Sequence, residues 1–250
     1  MTRLLTTVLI LTVAFTSNAN NLSIYTEQFP PYNYLHDNKI VGINLDIVKQ
    51  ACETAEINCT FKLYPWLRAY KAALHYNNAG VMSTSRSEER EELFQWVGPL
   101  VYSKNYFYKL ASRDDIQVST AEDLLKYTVS AQIGDIYQDV LLDSGFKNDK
   151  NLLQVSSKYR GVKLFYEGKL DLLIATDKTI EHKLGKYGYD SSELVPIFPL
   201  TFPKSKGNYL ALNKSVPKSL VDKLQQAVDQ LRKSGQFDTI SNQYKFIKPN

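Results

Sequence analysis

One succession of strands and helices occurs twice along this 250-residue chain, and it leaves few folds open. Leu22-Ser23-Ile24-Tyr25-Thr26 alternates apolar and polar side chains, as a half-buried strand does. Phe29-Pro30-Pro31-Tyr32 ends that strand, because neither proline can donate to a ladder. A short hairpin around Asp37-Asn38-Lys39 follows, with Ile40-Val41 as its return. The spacing of Leu45, Val48 and Ala51 predicts a helix over 42–56, then a strand over 58–64, a helix over 67–76 and a strand over 79–83. The second pass predicts a strand over 127–131, a helix over 134–143, a strand over 152–155, a helix over 158–167 and a strand over 171–175. Each pass dictates a parallel or mixed sheet covered by helices.

Two extended, Tyr-containing segments join the passes: Tyr106 to Ala111 between them and Tyr209 to Leu212 after the second. A long amphipathic helix runs from Pro217 to Ser234, with Gly235 just past its end and a shorter helix reaching Tyr244. The reading is an α/β fold of two lobes, 22–105 plus 209–250 and 106–208, each a sheet flanked by helices. Two crossings act as a hinge and leave a cleft between the lobes, where small ligands bind best.

Arg3, the apolar run from Leu4 to Phe15 and the small residues Ser17-Asn18-Ala19 form a secretory signal over 1–19. The mature protein is therefore expected to be exported, in the periplasm. Cys52 and Cys59 fit that oxidising compartment, for a helix–strand corner can bring their Cβ atoms within bridging range. We expect a disulfide. A metal site is not expected, because His36, His75 and His182 show no ligand spacing near this pair. A net charge of +4 with scattered lysines argues against nucleic-acid binding.

The segment with the most chemistry is Ser83-Thr84-Ser85-Arg86-Ser87-Glu88-Glu89-Arg90. Hydroxyl residues at a helix start leave N–H groups free for an anion, and an arginine one turn on adds a fork that matches a carboxylate. On these eight residues alone, a plain capped helix with Ser87 as N-cap fits at least as well.

Taken together, Phe29-Pro30-Pro31-Tyr32, Gly42-Ile43-Asn44-Leu45-Asp46-Ile47, the Ser-rich run to Arg90, Gly168-Lys169-Leu170-Asp171, Tyr209 to Lys214 and Gly235-Gln236-Phe237-Asp238-Thr239-Ile240 carry a resemblance. In order and spacing the chain resembles the bacterial extracytoplasmic solute-binding proteins of the amino-acid-binding family, which have the type II periplasmic-binding-protein fold and serve ABC importers. The Cys52–Cys59 spacing also looks like the disulfide of the histidine- and lysine/arginine/ornithine-binding members. The resemblance implies that Phe29 and Trp66 sandwich the ligand, that Ser83, Ser85 and Arg90 hold its carboxylate, and that Asp135 and Ile136 start a second-lobe helix offering further donors. Asp177 lies near the place of the acid that holds the ligand's ammonium, although Thr176 competes for it. Arg68 is either a second anion partner or a solvated helix charge. Glu27 either takes a ligand amine or is an exposed strand-end charge. Asp135 departs from the family pattern, since an aspartate there repels a carboxylate unless it caps the helix or meets an ammonium.

The function expected is capture of a small carboxylate-bearing ligand, an amino acid or related zwitterion, by hinge closure. No catalysis or cofactor is implied. The partners expected are that ligand and an inner-membrane ABC permease, with the protein acting as a monomer. Two alternatives stay open: a ligand-sensing module for a membrane receptor, and a cyclohexadienyl-dehydratase-like enzyme using Glu27, Asp135 or Asp177 as general acid.

Overall fold

A computed structural model of the protein describes residues 21–201 and 207–244. The signal segment expected over 1–19 lies outside these residues. Strand β1 (Asn21–Thr26) is followed by the small hairpin β2 (Tyr34–His36) and β3 (Lys39–Val41), helix α1 (Ile43–Thr54), β4 (Asn58–Leu63), α2 (Trp66–His75) and β5 (Ala79–Thr84). A short helix α3 (Glu88–Glu91) and β6 (Phe94–Tyr102) complete this stretch. The second stretch comprises β7 (Asn105–Leu110), β8 (Val129–Gln132), α4 (Ile136–Asp143), β9 (Leu152–Val155), α5 (Lys158–Tyr166), β10 (Leu173–Thr176), α6 (Ile180–Gly185) and β11 (Leu194–Leu200). The chain then returns as β12 (Gly207–Asn213), α7 (Lys218–Lys233) and α8 (Gln236–Gln243).

The fold is the expected two-lobed α/β architecture. One lobe holds a five-stranded sheet in the order β4-β1-β5-β12-β6. Strand β1 pairs in parallel with both β4 and β5, while β12 is antiparallel to β5 and β6. All six residues of β5 are buried, as the middle of a sheet covered on both faces requires. The other lobe holds a three-stranded sheet β10-β7-β11 and the parallel pair β8-β9. The chain passes from β6 in the first sheet to β7 in the second over Tyr102 to Asn105, and β12 belongs to the first sheet again.

Each lobe has its own apolar core. In the first, α1 contributes Leu45, Val48 and Ala51, and α7 contributes Leu220, Val221, Leu224, Ala227 and Val228. These are positions of one helical face, which buries a continuous stripe against the sheet. In the second, Phe107, Val129, Leu141, Leu152, Leu172 and Ile174 meet. The disulfide Cys52–Cys59 joins the last turn of α1 to β4. Gly42 precedes α1 at φ 135°, where a Cβ would stand 2.4 Å from the Tyr32 carbonyl oxygen. Any other residue there would push away the loop that carries Phe29.

Most predicted elements are present within a few residues of their predicted ends. No strand is expected from the sequence at β6 or β11, and the reason is physical. Pro99 interrupts one, and Pro196 and Pro199 the other, and proline counts against a strand because it cannot donate to a ladder. Both strands lie at sheet edges, where a missing donor costs little.

Candidate functional site

Between the lobes lies a nearly closed cavity of about 30 Å³. The first lobe lines it with Glu27, Phe29, Tyr32, Trp66, Ser83, Ser85 and Arg90. The second contributes Asp135, Ile136, Tyr137, Lys158 and Thr176, and the crossings add Ser103, Asn105, Gly207 and Asn208.

One of these groups is Arg90. It follows the N-cap Ser87, whose hydroxyl oxygen accepts from the Arg90 N–H at 3.3 Å. The plain reading of this segment as a capped helix therefore holds, and the arginine is still only 4 % exposed. Its guanidinium lies 5.6 Å from the Trp66 ring centroid and 5.3 Å from that of Tyr70. It donates to the carbonyl oxygens of Ser85 at 3.3 Å and Gly134 at 3.2 Å. Among the described residues its ion-pair partner is Asp139, half exposed and 4.0 Å away. A buried guanidinium with long bonds to two carbonyls retains capacity for a carboxylate.

Gly134 joins the lobes beside Arg90. Its carbonyl accepts from the Trp66 indole N–H at 2.7 Å as well as from Arg90. Its φ of 70° lies in the left-handed region, and a Cβ would stand 2.5 Å from Leu67 Cδ2. Glycine is favoured here by conformation, since the Leu67 side-chain tip can shift aside. Ser83 also has a positive φ, 60°, an uncommon conformation for a residue with a side chain. Its hydroxyl donates to Asn33 Oδ1 and accepts from Asn44 Nδ2, so it is committed away from any ligand. What Ser83 can offer the cavity is its backbone.

Lys158 lines the same cavity. Its Nζ is 2.8 Å from Glu27 Oε1, 2.9 Å from Asp135 Oδ2 and 3.8 Å from the Phe29 ring centroid. Burial pushes the Lys158 amine down, but the Asp135 and Glu27 carboxylates more than offset this, so it stays an ammonium. Burial pushes Asp135 up, yet Lys158 and the Tyr137 N–H together hold it below its ordinary value. Glu27 ends above its ordinary value, because burial outweighs the pull of Lys158. Asp135 is also the N-cap of α4, accepting from the Tyr137 N–H at 3.1 Å. Both escapes open to an aspartate at this position are therefore taken, except that the ammonium belongs to the protein.

Eight of the ten predicted site residues, Glu27, Phe29, Trp66, Ser83, Ser85, Arg90, Asp135 and Ile136, are thus brought together. Two are not. Arg68 is exposed on α2 and stacks 4.1 Å from the Tyr64 ring centroid, outside the cavity. Asp177 is exposed, and its Oδ1 accepts from the Lys104 N–H at 3.0 Å. Thr176, one residue earlier, lines the cavity instead. Lys158, Tyr32, Tyr137 and Asn208 were not foreseen. For Lys158 a signal existed: it opens α5 with Arg160 in the same turn and no acid, against the helix dipole. Among the described residues no group of three or more His, Cys, Asp or Glu side chains can hold a metal ion. Nor is any helix among them long and apolar enough to cross a membrane.

Residues 22–247 match the family model described as bacterial extracellular solute-binding proteins, family 3. A probable histidine-binding protein of Campylobacter jejuni is 24 % identical over 225 residues, 87 % of this chain and 81 % of that protein. Among solved structures, a histidine kinase sensor domain similar to periplasmic binding proteins superposes with a TM-score of 0.76 at 19 % identity, over 92 % of this chain and 98 % of that one. The arginine-, lysine-, histidine-binding protein ArtJ from Geobacillus stearothermophilus gives 0.73 at 16 % identity, over 92 % and 97 %. An ancestral arginine-binding protein bound to arginine gives 0.71 at 18 %, over 91 % and 99 %.

Proposed function

The chain belongs to family 3 of the bacterial extracellular solute-binding proteins, and from that premise we propose that it captures a small carboxylate-bearing ligand, an amino acid or related zwitterion, in the cavity between its lobes. The carrying observation is Arg90: a buried guanidinium facing the cavity, with its one ion-pair partner among the described residues, Asp139, at 4.0 Å. A desolvated arginine of this kind favours a ligand carboxylate, because the anion restores hydrogen bonds that burial removed. Trp66 and Phe29 supply apolar walls, and the Ser83–Ser85 backbone adds polar contacts.

The mechanism proposed is closure of the lobes 22–105 plus 209–250 and 106–208 about their two crossings, with second-lobe contacts made only in the closed form. A monomer exported to the periplasm would then present both lobes to an inner-membrane ABC permease. The names of the histidine- and arginine-binding relatives support an amino acid as the ligand class. The test is thermal shift of residues 20–250 against amino acids, organic acids and polyamines. A carboxylate ligand at 100 times its Kd adds about 2.7 kcal/mol and raises the midpoint. If no zwitterion or acid raises it, the reading fails.

The likeness to a sensor domain supports a second reading, in which the same capture event informs a membrane receptor. The two separate on the partner: ligand-dependent stimulation of a permease ATPase favours import, and ligand-dependent kinase activity favours sensing.

A further inference from the structure

We propose that Lys158 is the specificity-determining residue of this cavity: its ammonium already fills a seat built for a cation, so the site takes a carboxylate ligand whose side chain carries no positive charge. This rests on the carboxylate-binding reading above and narrows it.

The seat is complete as it stands. Two carboxylates, Glu27 8 % and Asp135 5 % exposed, and the face of Phe29 surround the ammonium, whose own side chain is 10 % exposed. Such a box recognises a guanidinium or an amine through charge, hydrogen bonds and ring face together. A cationic ligand end would have to evict Lys158 and shed its own water, only to remake the contacts that the lysine makes now. That exchange brings no net attraction. Sharing the box is no easier, since a second cation would sit beside the first and be repelled by it.

Nothing local draws the lysine in except those carboxylates. It is the first residue of α5, where the helix end is positive and no acid occupies the first turn. Glu27 lies 131 residues away on the other lobe, so the ion pair closes the cleft from both sides. A separate observation concerns the ligand's other groups. Asn208 is 6 % exposed and lines the same cavity, and its Nδ2 has no hydrogen-bond partner among the described residues. An unpaired buried donor wants a ligand acceptor, an oxygen lone pair rather than a further N–H.

Isothermal titration of the wild type with alanine, glutamine, pyruvate, arginine and lysine tests this directly. The neutral-ended acids are expected to bind, with arginine and lysine weaker by roughly tenfold or more. Lys158→Met keeps most of the stem and opens the seat. In it, arginine or lysine should gain about tenfold or more and overtake the neutral ligands, and adding Glu27→Gln should remove that gain. A wild type that binds arginine or lysine as tightly as the neutral acids overturns the proposal and leaves the carboxylate reading standing. So does a folded Lys158→Met, with intact circular dichroism, whose ranking is unchanged. Should that variant not fold, Lys158→Gln and the wild-type ranking decide. If neither protein binds any of the five, the carboxylate reading itself fails, and this inference falls with it.

Discussion

Two buried cations line one cavity and stand in opposite states. Lys158 is saturated, with carboxylates at 2.8 and 2.9 Å. Arg90 is not: its acidic neighbour is at 4.0 Å and half exposed, and its bonds to carbonyls are 3.2 and 3.3 Å long. Burial alone therefore does not mark a binding group. A cation whose hydrogen bonds are complete acts as a wall, whereas one left short of an anion acts as a receptor.

The largest effect that could break this comparison is at the receptor, Arg90. Arg90→Ala is expected to weaken a carboxylate ligand by about 3 kcal/mol, roughly a hundredfold, while leaving the circular dichroism of the fold intact. Titration of any ligand found by thermal shift measures this, and an unchanged Kd would remove Arg90 from its role.

A smaller effect sharpens the saturated side of the comparison. Lys183, a second buried lysine of the same lobe, donates to the Ile174 carbonyl at 2.9 Å. Burial, and then the nearby Lys158 charge, push it down to about 7. Its folded value lies below its unfolded one, so between pH 7 and about 10.5 the unfolded chain binds more protons. Stability attributable to Lys183 thus rises with pH over that window, and its full penalty is present below pH 7. The stability of wild type relative to Lys183→Met should climb by at most about 1.4 kcal/mol per pH unit. Urea unfolding of both proteins at pH 6.5, 8 and 9.5 reads the slope, and a flat or falling difference contradicts it.

The smallest effect concerns the contact that joins the lobes beside Arg90. Trp66→Phe keeps an aromatic ring but deletes the five-membered half of the indole, with the N–H that donates to the Gly134 carbonyl. The expected cost is about 1 kcal/mol, seen as a lower midpoint of the unliganded protein. No change would mean that Gly134 is held by Arg90 alone.

The elements that became legible early are those whose signals are local. The strand of 22–26, the α7 stripe from Leu220 to Val228 and the Cys52–Cys59 corner need only periodicity or short separation to be read. The Ser87 cap and Arg90 lie in one four-residue helix, so their proximity was also visible. The edge strands β6 and β11 were hidden because their prolines obey a rule that applies to interior strands. The sequence leaves Thr176 and Asp177 open as alternatives, and the structure separates them by one residue. Thr176 ends β10 facing the cavity, and its successor turns outward to the Lys104 N–H.

By itself the sequence determined the twofold run of strands and helices, and with it the two-lobed α/β fold. Those follow from side-chain pattern along short stretches of chain. Only the tertiary structure decided which charges meet. Lys158 and Glu27 come from different lobes and are far apart in the chain. Their pairing depends on how the lobes face each other, and no local pattern encodes that.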